Sequence, residues 1–131
     1  MDLEENKKTT KNRGYGDSFK YAFFGIKTAF QEERNMRTHL ILGLVTVLCC
    51  LFLNLSLYEW FWILLCIFQV LVTEIWNTVI ENVVDLVTGQ RFHQLAKKAK
   101  DMAAAAVLLT SLFSTIVGAV IIFPKVFHLF F

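Results

Sequence analysis

Residues 39 to 123 hold more uninterrupted apolar length than a soluble domain of this size can hide, and that length limits what the chain can fold into. The stretches "HLILGLVTVLCCLFLNLSL" (39–57) and Met102 to Phe123 each approach the ~20 residues that cross a hydrocarbon core as a helix, and between them the run from Trp60 to Val72 is broken only by Gln69. The chain has 131 residues, 56% of them hydrophobic and 15% aromatic, enough for one domain but too small to bury that surface in its own interior. The excess must face lipid or a partner chain.

The expected fold class is therefore all-α integral membrane: an N-terminal amphipathic surface helix followed by three transmembrane helices. Residues 1–16 are charged and polar and read as a flexible lead-in to a single membrane domain at 17–131. The first 37 residues lack a short apolar core followed by a cleavage site, so a cleaved signal peptide is not expected. The surface helix is placed at 17–37, with Asp17 or Ser18 as cap. Phe19, Phe23, Ile26 and Phe30 share one face, and Lys20, Lys27 and Arg34 lie elsewhere on the wheel, a pattern suited to the headgroup region. The spans are placed at about 39–57, 59–88 and 102–123. Tyr58 and Trp60 mark a membrane interface, Gly89 stops the second span and Pro124 ends the third. Ala103 to Ala106 and Gly118 allow close helix approach. Cys49, Cys50 and Cys66 sit in apolar runs without CxxC spacing and read as packing residues.

Charge placement gives the orientation. Eight of the thirteen Lys and Arg precede the first span, none lies between spans one and two, four lie between spans two and three, and Lys125 follows the third. The positive-inside rule puts the N-terminus and the second connection in the cytoplasm.

Against this background the segment "EIWNTVIENVVD" (74–85) is anomalous. Glu74, Asn77, Glu81 and Asp85 are spaced 3, 4 and 4, which collects them in an arc of roughly 80° on one helix. Glu74 lies ~10 Å deeper than Glu81 along the axis. A carboxylate placed at bilayer depth costs at least ~2.5 kcal/mol, and such groups face an interior or a wet groove. Three readings compete: polar contacts between helices, an ion or proton path, and a catalytic site with metal and proton transfer. The other groups at that boundary favour catalysis. Glu32 and Glu33 end the surface helix, and Lys97, Lys98, Lys100 and Asp101 precede span three. Carboxylates with lysines suit a nucleotide whose Mg²⁺ takes one or two carboxylates and completes its shell with water and phosphate oxygens. The chain lacks GxxxxGK[ST], GxGxxG, HRD and DFG, so a kinase of this sequence has an unrelated design. A non-enzymatic channel or assembly subunit is the alternative of another class. It would place polar groups near the midplane of several spans, whereas spans one and three carry only Thr, Ser, Asn and Gly.

The stripe at 74–85, followed by "AKKAKDMAAAAVL" (96–108), resembles the prokaryotic diacylglycerol kinase family over about Tyr15 to Phe123. The resemblance implies a homotrimer in the bacterial cell membrane, multi-pass, with active sites between subunits on the cytoplasmic side and ATP and Mg²⁺ as cofactors. It implies a lipid alcohol as substrate and other membrane lipids as surroundings, with no nucleic-acid partner. By matching position, Glu74 resembles the general base, and Glu33 and Glu81 the metal carboxylates that hold the nucleotide's ion. Asn77 and Asp85 resemble residues that orient the reactants; Tyr21, Lys100 and Asp101 resemble nucleotide contacts. Arg91 to His93 match a nucleotide-contacting loop that is one residue longer here. "EERNMRTH" (32–39) looks like the Gram-positive branch, which resembles undecaprenol kinases, because His39 stands where diacylglycerol-specific members are acidic. Undecaprenol is thus favoured over diacylglycerol, and His39 itself is expected to be an interfacial residue at a helix entrance.

Overall fold

The computed structural model describes residues 14–130, which form four α-helices: α1 Tyr15–Glu32, α2 Arg34–Cys50, α3 Leu57–Thr88 and α4 Gln94–Phe130. The lead-in at 1–13 lies outside the described residues, whereas Tyr15 and Gly16, expected in that lead-in, belong to the first turn of α1. α3 packs chiefly on α4 and less extensively on α2; α1 touches α2 and α3 over a few residues. Two helices, α3 and α4, are long and apolar enough to cross a membrane.

The expected surface helix at 17–37 is divided. Helix α1 starts at Tyr15 with Gly14 in the N-cap position, so neither Asp17 nor Ser18 caps it, and it stops at Glu32. Glu33 is extended, at φ −99° and ψ 119°, and α2 begins directly after it. The cause is a contact the sequence pattern does not encode. Arg37 reaches back and donates to the carbonyls of Gln31, at 2.9 Å, and Phe30, at 3.3 Å. It thereby satisfies carbonyls that a helix end leaves open and holds the corner at Glu33. The apolar face of α1 stays uncovered: Phe19, Phe23 and Ile26 are exposed and Ala29 is its one buried residue.

Span one was expected at 39–57, but the helix runs from Arg34 to Cys50. Its 17 residues reach ~26 Å, short of a ~30 Å hydrocarbon core. Leu51, Phe52 and Leu53 continue it as tight turns through bonds to the carbonyls of Val47, Cys49 and Cys50. The chain then reverses in a few residues because Ser56 and Glu59 form a capping box that starts α3. Gly43 lets α2 approach α3 closely, since a Cβ there would come within 2.8 Å of the Ile67 methyl.

Helix α3 is 32 residues long, ~48 Å, and overruns a bilayer core. With Leu57 at one boundary, the core ends near Glu74 and Asn77, and the following turns project beyond it. Gly89, at φ +58°, closes the helix in the left-handed conformation that glycine adopts without strain. Helix α4 opens at Gln94, where the Nδ1 of His93 accepts the backbone N–H of Leu95 at 3.2 Å. Pro124 does not end it; the helix continues to Phe130. Proline removes one helical hydrogen bond, but the turn that follows is anchored from outside. Lys125 donates to the Asn54 carbonyl at 3.0 Å and pairs with Glu59 at 3.0 Å, fastening the end of α4 to the connection between α2 and α3.

Candidate functional site

The stripe on α3 is buried at its deep end and open at its shallow end. Glu74 is 1% exposed, and Asn77 and Thr78 are also buried. Thr78 returns its hydroxyl to the Glu74 carbonyl, so it takes no part in the side-chain cluster. Neither carboxylate oxygen of Glu74 has a hydrogen-bond partner among the described residues, nor does the amide oxygen of Asn77. Polar atoms buried in this way are costly unless a bound group satisfies them. The Asn77 side chain donates to Glu81 at 3.1 Å, which orients the Glu81 carboxylate along the helix and leaves the Asn77 oxygen free.

The corner between α1 and α2 supplies the facing wall. Glu33 at the corner and Asn35 in the first turn of α2 lie within electrostatic reach of Glu74, as does Glu81 on its own helix. Asn35 stops short of hydrogen-bonding geometry with either Glu74 oxygen. His39, one turn along α2, brings its Nε2 to 3.9 Å from Glu74 Oε2. Nearer the water, Lys100 on α4 meets Asp85 at 2.6 Å, joining the shallow end of the stripe to the third wall.

The expected residues are thus divided. Glu33, Glu74, Asn77 and Glu81 cluster, and Asp85 and Lys100 extend the cluster toward solvent. Asp101 pairs with Lys97 on its own helix, His93 caps α4, and Tyr21 and Arg91 are exposed without a hydrogen bond or ion pair to the stripe among the described residues. His39, expected as an interfacial residue at a helix entrance, stands beside Glu74, as does Asn35, which the sequence reading did not single out. Their signal was there: two polar residues at i and i+4 on the entry turn of an apolar helix share one face.

Among the described residues no three His, Cys, Asp or Glu side chains form a ready metal cage. The oxygens available are those of Glu81 and Asn77, whose side chains are bonded to one another, and of Glu33, which with Glu81 lies within electrostatic reach of Glu74. Such a set fits a hard cation that brings most of its own ligands, as Mg²⁺ does.

Below the cluster, an apolar groove of about 590 Å³ runs between α2, α3 and α4 from His39 to Val126. Val70 lies one turn from Glu74, so the groove's inner end adjoins the acidic cluster.

A buried acid at the end of an apolar groove, with carboxylates and a lysine beyond it, sits in an all-helical chain that has two helices of membrane-spanning length among the described residues. A sequence model of the prokaryotic diacylglycerol kinases matches residues 20–122, and the chain belongs to that family, whose members are lipid kinases. Among its relatives are a diacylglycerol kinase of Synechocystis, 39% identical over 86% of this chain and 64% of that protein, and an undecaprenol kinase of Bacillus subtilis, 40% identical over 82% of this chain and 87% of that one. A diacylglycerol kinase of Helicobacter pylori is 40% identical over 82% of this chain and 85% of its own length. The chain therefore spans less than two thirds of the Synechocystis relative and most of the other two. Relatives of both names lie at the same distance, so identity alone does not choose the lipid.

Proposed function

We propose that this protein transfers the γ-phosphoryl group of MgATP to the hydroxyl of a membrane lipid, with undecaprenol as the main substrate and diacylglycerol as the lesser one. The observation that carries this reading is Glu74: a buried carboxyl with both oxygens unpartnered, adjoining the groove's inner end. A hydrocarbon chain lying in the groove would bring its terminal hydroxyl to that carboxyl, which takes the proton as the hydroxyl attacks. Glu33 and Glu81 would hold the nucleotide's Mg²⁺. The ion, when bound, offsets the charge that builds on the transferring phosphoryl oxygens. Asn77 keeps Glu81 oriented and presents a free oxygen to the bound group. Lys100 offers a cation to phosphate in place of Asp85, at little cost, since the pair is partly exposed. Tyr21, Asp101 and the Arg91–His93 loop are assigned to the nucleotide on the family resemblance.

The working assembly is a homotrimer in the bacterial cell membrane, with its sites between subunits and its acidic cluster in the cytoplasm. α1 lies on the inner surface, and α2 completes a third span with the apolar turn at 51–53. The reading is tested by Mg²⁺-dependent labelling of lipid from γ-labelled ATP in detergent micelles, comparing wild type with Glu74→Gln. Labelling by wild type and none by the variant is expected. Equal labelling by both would remove Glu74 as the base, and no labelling by folded wild type would remove the kinase reading.

A further inference from the structure

Glu74 lies among two carboxylates that repel it, Glu33 and Glu81, and two nearby donors, Asn35 and His39, neither of which hydrogen-bonds it as it stands. His39 brings its Nε2 to 3.9 Å from Glu74 Oε2. That separation exceeds a hydrogen bond by less than an ångström, and hydrogen bonds in catalytic clusters without substrate are commonly long and tighten when it binds. The two side chains sit on different helices whose spacing is fixed one turn away, where Gly43 meets Ile67. The ring has room to adjust: its side chain is 21% exposed, against 1% for Glu74. It also lines the inner end of the groove, beside the path a lipid hydroxyl takes to the carboxyl.

We propose that His39 is a positioning residue: its Nε2–H holds one oxygen of Glu74 and thereby aims the other at the lipid hydroxyl. This rests on the phosphoryl-transfer reading above. In the step, the hydroxyl O–H bond breaks and its proton passes to the free oxygen of Glu74. The hydroxyl oxygen forms the new bond to phosphorus, and the bond from that phosphorus to the departing ADP oxygen breaks. The imidazole gains and loses no proton; it remains a donor throughout. A glutamate has three side-chain torsions, and a donor on one oxygen narrows the orientations open to the carboxyl of Glu74. Misplacement by about an ångström costs on the order of a hundredfold in rate.

The test compares wild type, His39→Ala and His39→Gln in micelles containing undecaprenol, with and without added imidazole. His39→Ala is expected to lower kcat by about 10- to 100-fold with KM for MgATP unchanged, as befits loss of an interaction that acts on the chemical step. His39→Gln, which keeps an N–H donor at similar reach, should retain most of the rate. Imidazole should restore several-fold activity to His39→Ala and none to wild type, which a purely structural role for His39 would not do. A His39→Ala kcat within twofold of wild type overturns the assignment. So does a loss that neither glutamine nor imidazole recovers. Wild-type protein that phosphorylates no lipid alcohol brings down the kinase reading and this assignment together, whereas active wild type beside equally active His39→Ala brings down this assignment alone.

Discussion

A buried carboxyl group with neither oxygen bonded lowers the stability of the bundle that holds it, by about 1–3 kcal/mol for an unsatisfied polar group. Glu74 is such a group. Replacing it with glutamine removes the charge and keeps the shape. The expected outcome is a kcat lower by about 10²–10⁴-fold, the usual contribution of a general base, with an unfolding midpoint in SDS that is unchanged or higher. A midpoint that falls together with activity would mean that Glu74 holds the helices together. Lys100 separates binding from folding in the same manner. Its pair with Asp85 is partly exposed and worth at most about 1 kcal/mol of stability. Lys100→Met should raise KM for MgATP several-fold and leave the unfolding midpoint nearly in place, as steady-state kinetics and SDS titration can establish.

At the scale of the helices, the site depends on how closely α2 approaches α3. Gly43 allows that approach, and an added methyl would press on Ile67. Gly43→Ala should destabilise the protein by about 1–3 kcal/mol, the range for overpacking, and Ile67→Ala, which removes the methyl in the way, should cost less beside Gly43→Ala than alone. An additive double variant would show that the two do not share the space. The helices differ in how far they were legible. α3 was placed nearly to its ends by Tyr58, Trp60 and Gly89, while the capping box of Ser56 and Glu59 that starts it went unread. The stripe of Glu74, Asn77, Glu81 and Asp85 could be read as well, because helical periodicity alone assembles it. The corner at Glu33 could not, since it depends on Arg37 folding back onto the carbonyls of α1. Nor could the passage of α4 through Pro124, which Lys125 supports from a partner 71 residues away in sequence. The approach of His39 to Glu74 was hidden for the same reason, since the two lie on different helices.

The molecule as a whole leaves much apolar surface uncovered. None of the most apolar window of α4 is buried within the chain, and the aromatic face of α1 is open. Lipid and neighbouring subunits are the two covers available to a membrane protein of this kind. A homotrimer with sites between subunits has a specific consequence. Native mass spectrometry in detergent should give a mass three times that of the chain, and a monomer of full activity would rule the assembly out. The most direct measurement remains the fate of the γ-phosphate. Labelled ATP is given to the protein in mixed micelles holding equal undecaprenol and diacylglycerol, and both lipid phosphates are counted. Undecaprenyl phosphate forming well ahead of phosphatidate is the expected result. Phosphatidate in the lead would contradict the choice of lipid, and label in neither lipid would contradict the assignment of the acidic stripe to phosphoryl transfer.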